Sequence, residues 1–175
     1  MNMNKYTIIL LISIAISILF SSDCNLIIGE KAPDFSLKDQ NDSLHTLSLY
    51  HGKKLAIYFY PKDNTPGCTK EACSIRDNYS VLTDNNISIL GVSYDNSKNH
   101  NSFIEKHKLP FNLLSDVDKS VSKKYCADGW FMPKRKTILI DESGIIIYIF
   151  EDVNVGQHGF EILDQFYPPK MDNEK

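Results

Sequence analysis

The stretch that decides the fold runs from residue 55 to residue 73 and reads LAIYFYPKDNTPGCTKEAC. It opens with an apolar run, Leu55 to Phe59, which has the length and character of a buried strand. Two prolines and a glycine follow, and Cys68 then stands where a helix is expected to begin. A second cysteine, Cys73, comes five positions later. The stretch therefore predicts a strand, a stiff loop and a helix that carries two thiols.

The position of Cys68 favours a reactive thiolate. Unpaired N–H groups and the positive end of the helix dipole stabilise a negative sulfur in the first helical turn, and the thiolate is the nucleophilic form. Pro61 and Pro66 stiffen the preceding loop, and Gly67 lets the backbone approach a small substrate. The hydroxyl of Thr65 is within reach of both the sulfur and an incoming oxygen. We expect a preformed substrate pocket that includes Pro66 and Gly67.

The spacing of the two cysteines indicates a conformational cycle. Five residues along a helix turn the side chains of Cys68 and Cys73 about 140° apart, with Cα atoms about 8.7 Å from each other. A disulfide needs Cα atoms within about 7 Å. Bonding the two sulfurs therefore requires the first turns of the helix to unwind. We predict a helical reduced form and a locally unfolded oxidised form.

Composition limits the class of protein. The chain has 175 residues, 42% of them hydrophobic, which suits one domain with appendages. Its formal net charge is -3, so no basic surface argues for nucleic acid. Four cysteines are too few for a disulfide scaffold of this size.

Residues 1–28 differ in composition from the rest. One lysine precedes an almost wholly apolar run, Thr7 to Phe20, which is shorter than the roughly 20 residues of a spanning helix. The segment predicts a signal peptide or a membrane anchor. The small residues before position 25 suit cleavage of a signal peptide after Cys24, and lipidation of Cys24 is a third alternative. We therefore expect an exported protein, periplasmic or membrane-anchored and facing outside the cytoplasm.

The remaining pattern predicts an α/β protein with a thioredoxin-like fold, a central mixed sheet flanked by helices on both faces. The domain spans residues 29–167, and residues 168–175 form a polar tail. Strands are predicted over residues 35–37, 44–46, 54–60, 87–94, 111–114, 137–140 and 145–150. Helices are predicted over residues 68–82, 97–107, 118–125 and 157–166.

At this point the chain resembles peroxiredoxins of the bacterioferritin comigratory protein, or Q, type. The segment from Tyr58 to Cys73 is similar to the active-site signature of these enzymes and is highly specific. Four outer segments corroborate it, among them the Pro-x-Arg-x-Thr pattern that contains Arg135. They are residues 29–35, 89–93, 114–116 and 133–141.

The resemblance implies a thiol peroxidase that acts on hydrogen peroxide and organic hydroperoxides. It implies that Cys68 is the peroxidatic cysteine and Cys73 the resolving cysteine, which together form the redox disulfide. Thr65 and Pro61 complete the motif, and Arg135 supplies the positive charge of the site. Thioredoxin or another dithiol donor would restore the thiols, with no metal or organic cofactor. We expect a monomer.

Two alternatives of other classes stay open. A membrane-tethered copper-handling protein of thioredoxin-like fold also pairs nearby cysteines, and a thiol-disulfide oxidoreductase shares the fold but carries Cys-x-x-Cys. The expectation for Cys126 is a packed structural thiol, and for His158 a capping or packing role in the last helix. Residues 130–132, Trp-Phe-Met, could line the substrate mouth or simply pack.

Overall fold

The computed structural model describes residues 24–168. The signal or anchor prediction for residues 1–28 and the tail prediction for residues 168–175 therefore lie almost wholly outside the described residues. Within them no helix has the length and apolar character needed to cross a bilayer. The elements are β1 Ser36–Asp39, β2 Leu44–Thr46, a 3-10 helix Leu47–Tyr50, β3 Lys54–Phe59, α1 Pro66–Asp77, α2 Tyr79–Asp84, β4 Ile87–Ser93, α3 Ser97–His107, β5 Asn112–Ser115, α4 Ser120–Lys124, β6 Lys136–Ile140, β7 Ile146–Phe150 and α5 His158–Phe166.

The strands form one mixed sheet in the order β2-β1-β5-β4-β3-β6-β7. The central strands β3, β4 and β5 run parallel to each other, and the crossovers between them are helical. Strand β6 pairs antiparallel with β3, and β7 with β6, as the predicted hairpin requires. The thioredoxin-like mixed sheet predicted from the sequence is confirmed.

Alternating side chains of β3 divide the core into two layers. Ala56 and Tyr58 pack on the layer that contains α1, α2, α3 and α5, whereas Ile57 and Phe59 face α4 and the segment before β1. Both faces are apolar because a strand in the middle of a sheet is covered on both sides. The active-site helix α1 is thus seated on the buried centre of the sheet.

The helix predicted over residues 68–82 is interrupted. It begins at Pro66, two residues earlier than expected, and breaks at Asn78 into α1 and α2. Asn78 leaves the helical region with φ -104° and ψ 3°, and its side-chain amide donates to the Ser74 carbonyl at 2.9 Å. An asparagine side chain that bonds local backbone competes with the regular helix, which explains the break.

A disulfide joins Cys24 to Cys126, which are 102 positions apart in the sequence and have Cα atoms 5.3 Å apart. The prediction that Cys126 is a packed structural thiol was wrong. Cys126 follows α4 with φ 54°, a left-handed conformation in which residues other than glycine are uncommon. Cys68 and Cys73 are both free.

We expect this disulfide to stabilise the fold. Under non-reducing conditions Cys126→Ser should lower the free energy of unfolding by about 2–4 kcal/mol, because the bond closes a long loop in the unfolded chain. Urea unfolding of Cys24→Ser and of the double variant provides the control. The two single variants and the double variant should lose the same free energy of unfolding. A loss in the double variant equal to the sum of the two single losses would contradict the bond.

Candidate active site

Cys68 lies in the first turn of α1, third from its start, and is 2% exposed. Thr65 is the N-cap residue and Pro66 is the first helical residue. The N–H of Thr69 donates to the Thr65 carbonyl at 2.8 Å. Helix geometry leaves the N–H groups of Gly67 and Cys68 without partners inside the helix. These two donors and the positive end of the helix dipole lie in the same turn as Cys68, which is the helix position that the sequence predicted.

Arg135 is brought to the sulfur by the sheet. Phe59, the last residue of β3, pairs with Lys136 at the start of β6, so Arg135 lies beside the loop that leaves β3. Its Nη2 is 3.4 Å from the Sγ of Cys68. The guanidinium therefore places a fixed positive charge and several N–H donors beside the sulfur.

Glu71 holds the other side of the same guanidinium. It is fully buried one turn after Cys68 and forms an ion pair with Nη1 of Arg135. Burial raises the pKa of Glu71 to about 7, although the neighbouring arginine acts in the opposite direction. The carboxylate orients Arg135 so that its second amino group points at the sulfur.

His158 extends this group away from the sulfur. The imidazole is buried, with Nε2 2.8 Å from the Thr137 hydroxyl and Nδ1 3.1 Å from the Glu161 carboxylate. Its Nε2 is 4.0 Å from Oε1 of Glu71. Burial lowers the pKa of His158, which favours the neutral ring. The packing role predicted for His158 is confirmed, and the residue also closes one side of the Glu71 pocket.

A buried hydrogen-bond network holds the loop before the helix. The backbone N–H of Asp63 donates to the Asp95 carboxylate at 3.0 Å. The Asp63 carboxylate accepts from the Tyr60 hydroxyl at 2.7 Å and lies 2.9 Å from Nδ1 of His100. Asp63 and His100 are both buried. The loop is thus anchored to α3 and to the segment between β4 and α3, and does not depend on proline stiffness alone.

The other predicted residues lie around the sulfur with smaller roles in the geometry. The Thr65 hydroxyl donates its proton to the Lys62 carbonyl at 2.9 Å. Only the lone pairs of the hydroxyl oxygen stay available to other partners. A Cβ on Gly67 would lie 3.4 Å from Nη2 of Arg135 and would fill space beside the guanidinium. Cys73 is half-buried on the intact helix α1, which is the form predicted for the reduced state.

Sequence reasoning missed Glu71 and the anchoring residues of the loop. Glu71 had a usable signal, because a charged residue three positions after Cys68 lies on the same face of a helix. Asp63, His100 and His158 had none, because each finds its partner through the packing of separate elements.

The raised pKa of Glu71 predicts a pH-dependent stability. The carboxyl has a pKa of 4.5 when unperturbed and about 7 in the fold, so the folded state keeps a proton that the unfolded state releases between these values. The extra free energy of unfolding is present at low pH and is lost as the pH rises from 4.5 to about 7. The loss amounts to about 3 kcal/mol. Urea unfolding from pH 4.5 to 7.5 should show this loss relative to Glu71→Gln.

The variant isolates Glu71 because His158, the neighbouring group with a shifted pKa, is present in both proteins. The depressed pKa of His158 destabilises the fold at low pH in both, so that effect cancels in the difference. A free-energy difference between the two proteins that stays constant with pH would show that Glu71 does not titrate in this range.

The thioredoxin-like fold and its buried thiol beside an arginine define a thiol-dependent oxidoreductase. Residues 28–149 match the AhpC/TSA family. The chain belongs to this family and is a peroxiredoxin, a peroxidase that uses a cysteine thiol.

The relatives with similar sequences are named Bcp or peroxiredoxin Q. The chain is 42% identical over 147 residues to the putative peroxiredoxin bcp of Coxiella burnetii, covering 78% of this chain and 95% of that protein. It is 41% identical over 146 residues to peroxiredoxin Bcp of Bacillus subtilis, covering 78% and 92%. These matches do not favour the copper-handling or disulfide-exchange alternatives.

Solved structures agree with the sequence relatives. A crystal structure of a PrxQ mutant from Xylella fastidiosa has a TM-score of 0.77 at 30% identity, covering 81% of this chain and 96% of that one. Peroxidoxin BcpB from Mycobacterium tuberculosis has a TM-score of 0.75 at 29% identity with the same coverage.

Proposed function

We propose that Cys68 is the peroxidatic cysteine of this peroxidase, that Cys73 resolves it, and that Arg135 is the activating arginine. The observation that carries the proposal is the 3.4 Å contact between Nη2 of Arg135 and the buried Sγ of Cys68. Thr65, Pro61, Pro66 and Gly67 form the frame around the sulfur. The substrates are hydrogen peroxide and organic hydroperoxides.

In the first step the Cys68 thiolate attacks one oxygen of the peroxide. The S–O bond forms as the O–O bond breaks, and the leaving oxygen takes a proton to become water or an alcohol. Sulfur is oxidised to a sulfenic acid and the peroxide is reduced. Arg135 holds the oxygens while charge moves from the sulfur to the leaving group, which is where a fixed donor stabilises the transition state most.

In the second step the Cys73 thiol attacks the sulfenic sulfur and water leaves. Both cysteines lie on α1, so the disulfide requires α1 to unwind. The end of the helix near Cys73 is held, since Gly159 packs on Ser74 with its N–H 3.2 Å from the serine hydroxyl. We infer that the first turn, with Cys68, is the part that moves. Exchange with a thioredoxin-like dithiol donor then restores both thiols.

We further propose that the protein is exported and works outside the cytoplasm as a monomer, attached to a membrane or released from it. The apolar run from Thr7 to Phe20 motivates this, and the Cys24–Cys126 disulfide supports it because such bonds persist in oxidising compartments. The bond also argues against lipidation of Cys24 and against cleavage after it. The donor must then be an extracytoplasmic dithiol.

Stopped-flow mixing of the reduced protein with hydrogen peroxide tests the catalytic proposal. Fast loss of one Cys68 thiol, followed by slower loss of the Cys73 thiol, is the expected sequence of events. Mass spectrometry of tryptic peptides from cells, including the peptide with Cys24, tests the proposed compartment separately. A slow, second-order oxidation no faster than that of free cysteine would contradict a peroxidatic Cys68.

Cys73→Ser should separate the two steps. The variant is expected to consume one equivalent of peroxide at the wild-type rate and then to stop, because the sulfenic acid of Cys68 has no thiol to condense with. Dimedone labelling of the product should add one adduct at Cys68. Sustained turnover with a thioredoxin system would show that another group resolves the intermediate.

A further inference from the structure

Three consecutive apolar side chains stand on the surface beside the catalytic loop. Trp130 is 83% exposed, Phe131 is 81% exposed and Met132 is 47% exposed. We call these three residues the apolar patch. Large contiguous apolar patches on a soluble surface usually mark a site of interaction.

The loop that carries the apolar patch has a defined conformation. The N–H of Lys134 donates to the Ala127 carbonyl at 2.7 Å, which closes the base of the loop. Lys119 donates to the Trp130 carbonyl at 2.6 Å. A Cβ on Gly129 would lie 2.2 Å from the Met132 carbonyl oxygen, so the turn is too tight for any larger residue. The fold therefore holds the three side chains of the patch at the surface and does not bury them.

The segment that carries the patch is rich in lysine. Residues 119–134 contain four lysines and a single aspartate, in a chain whose net charge is -3. Lys123, Lys124 and Lys134 are exposed. Aromatic side chains flanked by lysines are the composition that binds the interface of an anionic lipid bilayer.

The disulfide brings the N-terminal segment to the same place. Cys24 is bonded to Cys126, four positions before Trp130, and its sulfur lies 3.0 Å from the Lys123 carbonyl oxygen. Phe20, the end of the apolar run, is four positions before Cys24. The chain therefore leaves the described body next to the apolar patch.

We propose that the apolar patch and its lysines bind an anionic lipid bilayer, on the side of the fold where the Cys24–Cys126 disulfide fixes the start of the described chain. This rests on the proposed export of the protein and names the surface it turns to the membrane. Phe131 and Met132 share an open cleft with Pro61 and Lys62. The bound orientation brings the catalytic loop to the bilayer surface.

Trp130 is the one tryptophan of the chain, so its fluorescence reports the patch directly. The full chain is reconstituted into vesicles of phosphatidylcholine alone or mixed with phosphatidylglycerol. We expect a blue-shifted Trp130 emission, protection from iodide and quenching by brominated acyl chains, all stronger with phosphatidylglycerol. Lys123→Glu/Lys124→Glu should weaken the dependence on phosphatidylglycerol. Lys98→Glu/Lys108→Glu, the same charge change on exposed lysines of α3 and its C-cap, should not.

Two results would overturn the proposal. In the first, Trp130 stays open to iodide and is not quenched by brominated lipid, whether or not the protein floats with the vesicles. In the second, the blue shift appears without lipid and grows with protein concentration, which would assign the patch to a second copy of the chain. Reduction of soluble hydrogen peroxide by the same samples measures the catalytic proposal independently.

Discussion

Cys68→Ser is expected to consume no peroxide above the uncatalysed background, while its fold stays intact. A serine hydroxyl remains protonated at neutral pH and is a poor nucleophile without an adjacent base. Glu71 bonds to Arg135 and His158 to Thr137, so neither of these two groups activates a hydroxyl at this position. The measurement is loss of hydrogen peroxide under single-turnover conditions, together with circular dichroism of both proteins.

The matched control is Cys73→Ser, which changes the same atoms on the same helix. It should retain the first oxidation at the wild-type rate, so a loss in both variants would point to damage to α1 and not to chemistry. Peroxide consumption by Cys68→Ser at an appreciable fraction of the wild-type rate would remove Cys68 from the mechanism. The assignment would then pass to Cys73, the remaining free thiol among residues 24–168.

Arg135→Met should slow the oxidation of Cys68 by roughly 10²–10³-fold, the cost of removing one preorganised donor from a transition state. The guanidinium faces the sulfur with Nη2 and the Glu71 carboxylate with Nη1. Its loss removes the positive charge near the thiolate and leaves a buried carboxyl, which then holds its proton. Arg135→Lys should recover only part of the rate, because a single ammonium group cannot bond the Glu71 carboxylate and the Cys68 sulfur in the way that the two amino groups of the guanidinium do.

The chain contains one other arginine, Arg76, and it supplies the control. Arg76 also lies on α1, but it bonds to Asp77 and to the His107 carbonyl. Arg76→Met should leave the first oxidation unchanged. Stopped-flow oxidation measured across a range of pH distinguishes the two functions of Arg135. If Arg135 acts mainly through its charge, the oxidation rate of Arg135→Met rises towards the wild-type rate at high pH, where more of the thiol ionises. If Arg135 acts mainly by positioning the peroxide oxygens, the variant stays slow at every pH. A wild-type rate in Arg135→Met at all pH values would contradict both.

Much of the site was predictable because it is local. The strand over residues 54–59, the stiff loop and Cys68 in the first turn of α1 follow from apolar runs, prolines and helix geometry. The impossibility of a Cys68–Cys73 bond on an intact helix follows from the helical rise and turn. Arg135, 67 positions from Cys68, was found only by its resemblance to a family motif.

The predictions that failed concern contacts between distant segments. Cys126 was expected to be a packed thiol because nothing near it in the sequence suggests a partner. Its partner Cys24 reaches it only after the N-terminal segment lies along the sheet, with the Gly29 N–H bonded to the Ile146 carbonyl. The break at Asn78 is the exception, because its cause is local: the Asn78 side chain bonds the Ser74 carbonyl, and the sequence prediction overlooked that an asparagine can do so.

The sequence by itself determined the reactive thiol, its partner five residues on and the α/β order of elements, since helix ends, prolines and apolar periodicity act over a few residues. The tertiary structure alone decided what surrounds the thiol. The register between β3 and β6 delivers Arg135 to the sulfur, burial under α5 raises the pKa of Glu71, and packing brings Cys24 to Cys126. These depend on burial and on backbone pairing between segments far apart in the chain, which no local pattern encodes.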